Sequence, residues 1–142
     1  MQKALEKIEL EGGLSINWSD FTRGTYVEHN GIHLTSISKG SVEGMVSVKS
    51  ELLNPNRILH GGVMVALADT IAIFGCGYLY ETISVSTLNL TVSYIKSVKG
   101  GTLTARARVI SQGKAVSLWQ VDDFDDAGHL AAVVNLTFCI GK

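Results

Sequence analysis

The chain has 142 residues, 46% of them hydrophobic and 18% charged, with a formal net charge of -1. These values suit a single globular domain over residues 1–142, read as a short N-terminal helix and loop over 1–31 followed by a core over 32–142. So even a charge balance, with no aromatic-basic motif of an RNA-binding sheet, excludes general attraction to nucleic acid or an anionic membrane and leaves any anionic ligand to a local patch.

Taken in order, Ala4, Leu5, Ile8 and Leu10 are spaced for a short amphipathic helix ending at Gly12-Gly13. Their mixture with charged residues lacks the uninterrupted apolar stretch of a secretory leader, so a cytoplasmic location is expected. Residues 17–31 hold Trp18, Phe21 and Tyr26 in no clear period and read as an ordered loop. Residues 32–37 and 42–49 read as two strands around the turn Ser38-Lys39-Gly40-Ser41. Residues 52–59, stiffened by Pro55, lead into a long apolar helix over 63–80. Four strand patterns follow at 83–96, 102–112, 115–124 and 130–139, joined by glycine-bearing turns.

Helix segregated from antiparallel strands makes an α+β domain, a six-stranded sheet curled around one helix and covering it on most sides. The helix is as long as a bilayer span. Asp69 near its middle, Gly75 and Gly77 in its far half and the lack of a Lys/Arg-rich flank favour a core helix. Cys76 and Cys139 lack disulfide or zinc spacing and are expected to be buried free thiols. His29 and His33 flank what reads as a turn entering a strand, and neither a metal nor a cofactor is expected. Asp122, Asp123, Asp125 and Asp126 lack the spacing of a calcium loop and read as a hairpin turn through Asp126-Ala127-Gly128.

The densest chemical signal runs from Asn54 through His60-Gly61-Gly62 to Asp69. An ionised carboxylate among apolar side chains costs several kcal/mol unless something pairs with it, which marks Asp69 as a working residue. Gly61 and Gly62 open the helix, where free amides and the helix dipole suit an oxyanion; the alternative is that they only permit close helix packing. His60 either orients a substrate or hydrogen-bonds a loop, and Asn54 either holds an attacking water or anchors that loop. Gly62 and Asp69 lie about 10 Å apart along the axis, too far to share one reacting carbon. Two antiparallel helices across a dimer two-fold would place Asp69 of each beside the glycines of the other, giving two composite sites.

Together Asn54, His60-Gly61-Gly62 and Leu67-Ala68-Asp69, with the stretch from Thr87 to Tyr94 and the Gln112-Gly113-Lys114 turn, resemble the hot-dog-fold acyl-CoA thioesterases, in particular the phenylacetate-degradation branch. The resemblance implies a curved antiparallel sheet wrapped around one long helix, in homodimers or homotetramers with sites at the subunit interface. It implies that the amide of Gly61 or Gly62 polarises the carbonyl of an acyl-CoA or aroyl-CoA and that Asp69 of the neighbouring subunit is general base or nucleophile. Asn54 and His60 would position water and thioester, with Thr87 assisting the water. Arg57 stands where members often carry glycine, Thr87 where serine is more usual, and Ser97 near a missing proline. Coenzyme A phosphates require basic residues at the cleft mouth, for which Arg57, Lys96, Lys99 and Lys114 are candidates. Two other functions remain open: a hot-dog dehydratase or hydratase, and a non-catalytic acyl-CoA binding module.

Overall fold

The computed structural model describes residues 3–141. Among them the chain runs β1 (Lys7–Glu9), β2 (Ser15–Asn17), α1 (Trp18–Thr22), α2 (Tyr26–His29), β3 (His33–Ser38), β4 (Ser41–Ser47), α3 (Gly61–Tyr80), β5 (Val85–Tyr94), β6 (Thr102–Gln112), β7 (Val116–Phe124) and β8 (Leu130–Ile140). Strands β3 to β8 form one antiparallel sheet in the order β3-β4-β6-β7-β8-β5. Since β4 and β5 lie toward opposite edges, α3, which joins them, has to cross the sheet. This is the hot-dog arrangement.

Val63, Met64, Leu67, Ala68, Ile71, Ala72, Gly75 and Cys76 are buried and recur at the spacing of one helix face. Two glycines let that face lie close to β4. A Cβ at Gly44 would sit 2.6 Å from Ile71 Cγ2, and one at Gly75 2.3 Å from Val42 Cγ2. By length and composition α3 could cross a membrane; its buried stripe against the sheet makes it the core helix of this fold.

Three sequence expectations change. The sheet curves around α3 but covers one face of it rather than most sides within one chain, because six twisted strands curve without closing. The opposite face of α3, including Asp69, Thr70, Ile73 and Phe74, is only half-buried. The helix expected over 4–10 is instead β1, paired antiparallel with β2 through Ile8 and Ile16. Ile8 points inward between exposed Lys7 and Glu9, and over so short a stretch this period of two is indistinguishable from a helical stripe. Gly12 and Gly13, at φ 79° and 80°, turn the hairpin rather than end a helix. Finally, the loop expected over 17–31 contains α1 and α2. Asn17 caps α1 by accepting from Asp20 N at 2.9 Å, and Trp18 is fixed by donating its Nε1 proton to Ile32 O at 3.0 Å.

Cys76 and Cys139 are both free thiols; Cys139 is half-buried rather than buried, since it alternates with the inward Phe138. The acidic run does form a turn, with Asp125 Oδ1 accepting from Ala127 N and His129 N at 3.0 and 2.8 Å. Asp123, however, belongs to β7 and points into the core, where its carboxyl oxygens have no partner among the described residues.

Candidate active site

The approach to α3 is tied by the side chain of Asn54. Its Oδ1 accepts from Asn56 N at 2.9 Å and Ile58 N at 3.3 Å, and the Asn54 backbone N–H donates to Ile58 O at 2.7 Å. The carboxamide oxygen therefore anchors the loop. Within this loop Arg57 has φ 64°, a left-handed conformation that disfavours any residue with a Cβ. Glycine is the residue that adopts this conformation without strain. Arg57→Gly is expected to raise stability by about 0.5–1 kcal/mol, a net of relieved strain over lost chain stiffness, seen as a higher urea midpoint with an unchanged slope. A lower midpoint would show that the arginine side chain itself holds the loop.

His60 is the N-cap of α3, and its Nδ1 accepts from Gly62 N at 2.9 Å. The imidazole is thereby neutral at Nδ1 and carries its proton on Nε2. The Gly62 amide is thus occupied, whereas the Gly61 amide, the first of the helix, has no acceptor among the described residues. Of the two glycines it is the open donor. Tyr94, at the end of β5, donates from Oη to Gly61 O at 2.9 Å. A Cβ at Gly61 would stand 2.8 Å from the Tyr94 ring, so the close approach requires glycine. At Gly62 the neighbour is the His60 ring, 2.9 Å away. Gly61 thus lets the start of the helix lie close to β5, whereas Gly62 makes room only for the cap. Sequence alone offers no sign of the Tyr94 contact, which topology makes across 33 residues.

Two turns further along, Asp69 meets Thr87. The Thr87 hydroxyl donates to Asp69 Oδ1 at 2.7 Å. An irregularity in β5 between Thr87 and Asn89 locally breaks the register with β8, the kind of bulge that re-aims a side chain. The other Asp69 oxygen has no partner among the described residues. Asp69 opens on a hollow of about 860 Å³ along the outer face of α3, while His60 and Gly62 border a separate cleft of about 270 Å³ with Tyr26 and Glu51. Within one chain Asp69 and the His60-Gly62 entrance therefore face different spaces.

Of the four basic candidates, Lys96 is engaged. Its Nζ donates to Asp125 Oδ2 at 2.6 Å and lies 2.9 Å from His129 Nδ1; chiefly this lysine holds the Asp125 carboxyl well below the usual carboxylate range. Arg57, Lys99 and Lys114 are exposed in loops and turns.

Residues 56–132 match the family model of the thioesterase superfamily. A Haemophilus influenzae relative whose name calls it an esterase is 31% identical over 125 residues, 87% of this chain and 91% of its own. A 1,4-dihydroxy-2-naphthoyl-CoA hydrolase from Listeria monocytogenes is 29% identical over 79% of this chain and 92% of its own. Among solved structures, a Haemophilus influenzae thioesterase superposes with a TM-score of 0.83 at 28% identity, covering 89% of each chain. Fold and relatives together define a hot-dog thioester-hydrolysing enzyme. The chain belongs to the thioesterase superfamily.

Proposed function

We propose that the protein hydrolyses an acyl-CoA or aroyl-CoA to the free acid and coenzyme A, in the cytoplasm, at two composite sites of a homodimer or of a homotetramer built from such dimers. The observation that carries this is the Asp69–Thr87 pair at 2.7 Å, opening on an apolar hollow yet two helical turns from the open amide of Gly61. Strand β5 supports the pairing of subunits. It is the edge of the sheet, ten residues long, with Leu88 and Tyr94 exposed at 59% and 54%. Such an edge is a template for another strand. Two β5 strands paired about a two-fold would set the α3 helices antiparallel and bring Asp69 of one subunit to the helix entrance of the other.

In that arrangement the Gly61 N–H donates to the thioester oxygen and stabilises the charge that develops there. Thr87 holds one Asp69 oxygen, leaving the other to act. As base it removes a proton from water, whose oxygen bonds to the carbonyl carbon; the C–S bond then breaks, and the thiolate takes the proton. As nucleophile the same oxygen bonds to the carbonyl carbon and the C–S bond breaks, expelling the thiolate; water then cleaves the anhydride to the acid and free Asp69, and the proton released goes to the thiolate. His60 positions the thioester through its Nε2 proton, and Asn54 keeps the entrance loop in place, its amide nitrogen facing the water. Arg57, Lys99 and Lys114 are the remaining candidates for the phosphates, Lys96 being held by Asp125. The Listeria relative's name favours including aroyl esters in any search for the substrate.

A dehydratase or hydratase would use histidine as a free base, whereas His60 Nδ1 is already occupied by an amide. The deciding experiment is a thiol-release screen of purified protein against aliphatic and aromatic CoA esters. Release of one thiol per acid formed is expected. No release from any ester, with binding retained, would instead identify an acyl-CoA binding module.

A further inference from the structure

The hairpin of β1 and β2 lines the hollow beside α3 through Leu10, Glu11, Leu14 and Ile16. Its base is tied down: Leu5 N donates to Leu34 O at 2.7 Å and Trp18 N to Glu6 O at 2.8 Å, and Ile8 is 1% exposed. Its tip is not. Leu14 lines the hollow beside α3 yet remains 67% exposed. Trp18, Phe21 and Phe74 form an apolar wall, with ring centroids 5.4 to 6.1 Å apart. Asp69 and Glu81 both line this hollow. Twelve helical residues separate them, about 18 Å, which matches roughly fifteen bonds of an extended chain.

The far end is closed by charge. Lys39, from the β3–β4 turn, has its Nζ 2.8 Å from Glu81 Oε1 and 3.5 Å from Glu11 Oε1 at the hairpin tip, and it lies 5.8 Å from the centre of the Tyr78 ring. Glu81 caps the C-terminus of α3 in a left-handed conformation, φ 56° and ψ 45°. Glycine is the unstrained residue there. A glutamate kept at such a position is consistent with work for its carboxylate, and the visible work is holding Lys39.

We propose that the β1–β2 hairpin is a flap over an acyl-chain groove for long, uncharged, straight-chain acyl groups, and that Lys39, clamped by Glu11 and Glu81, is the stop that sets their length. This rests on the thioesterase reading above, with the acyl carbonyl at Asp69. Methylenes added within the groove are desolvated by the aromatic wall and the flap, so each adds affinity. A chain reaching the stop must desolvate the charged cluster and loses it. The cluster carries two carboxylates to one ammonium and therefore also rejects acyl groups that end in a carboxylate.

The test is a length series of saturated acyl-CoA esters with full-length protein, in the wild type, Lys39→Met and Glu81→Gly. Wild-type kcat/KM is expected to rise about fourfold per methylene and then to fall at least about tenfold once the chain exceeds the groove. Both variants should move that fall to longer chains by about two to four carbons. Glu81→Gly relieves backbone strain, so it remains informative even if Lys39→Met fails to fold. Superimposable length profiles in all three proteins would overturn the proposal. Calorimetric titration with free fatty acids of the same lengths separates the two readings. If the wild type hydrolyses no ester, the thioesterase reading falls, and the groove stands only if fatty-acid binding shows a length limit that the variants shift.

Discussion

Asp69→Asn is expected to lower kcat at least about a hundredfold while leaving the fold intact. Asparagine keeps an oxygen able to accept the Thr87 hydroxyl, now at 2.7 Å from Asp69 Oδ1, so the local structure should survive. The second oxygen is replaced by an amide nitrogen. That group can neither take a proton from water nor attack a carbonyl, so the step lost is chemical rather than structural. KM should change little, because the variant retains the groove and the helix entrance. Near-normal turnover, with Thr87 still bonded, would make the carboxylate purely structural.

The largest effect on stability is expected at Asp123. Burial, with a smaller contribution from neighbouring Asp122, pushes its carboxyl up to about 8. In the unfolded chain the same group titrates near 4. Between those values the folded state holds a proton that the unfolded state has released, so stability is full at low pH and is lost as pH rises through that window. The slope is about 1.4 kcal/mol per pH unit, on the order of 5 kcal/mol across it. The flanking residues in register, Ala105 and Ala132, are small, with Gly44 one strand further, which leaves room for a valine. Asp123→Val should therefore unfold with little pH dependence between pH 5 and 8 and melt about 10 °C or more above the wild type at pH 8. Identical pH slopes for the two proteins would mean that Asp123 is ionised and paired when folded.

Much of this architecture is legible from residues whose spacing exceeds the ambiguity of short motifs. Eighteen residues without a polar face can only be a core helix or a membrane span, and Asp69 with two glycines decides between them. Strands from β5 to β8 are marked by glycine-bearing turns at Gly100-Gly101, Gly113 and Gly128. The N-terminal segment is different, because three-residue strands and four- or five-residue helices are shorter than the periods that would reveal them; Ile8 satisfies both patterns. At the site, Asn54, His60, the glycines and Asp69 stand out within sixteen residues of sequence. The occupation of the Gly62 amide by His60, the Tyr94 ring over Gly61 and the engagement of Lys96 by Asp125 depend on side-chain reach and on strands distant in sequence. Asp123 escaped notice as a core residue because its acidic neighbours disguise the inward alternation of β7.

The proposal of a site shared between subunits is tested most directly by mixing two inactive proteins. One is Asp69→Asn; the other is Gly62→Pro, which removes the amide that orients His60 and disturbs the Gly61 donor while leaving its own Asp69 and Thr87 untouched. After subunit exchange, half of the dimers are mixed, and each regains one intact site. Activity should then rise from the parental background to about a quarter of the wild-type value. Activity that stays at the background after exchange is verified, with both parents folded and dimeric, would contradict a site shared between subunits.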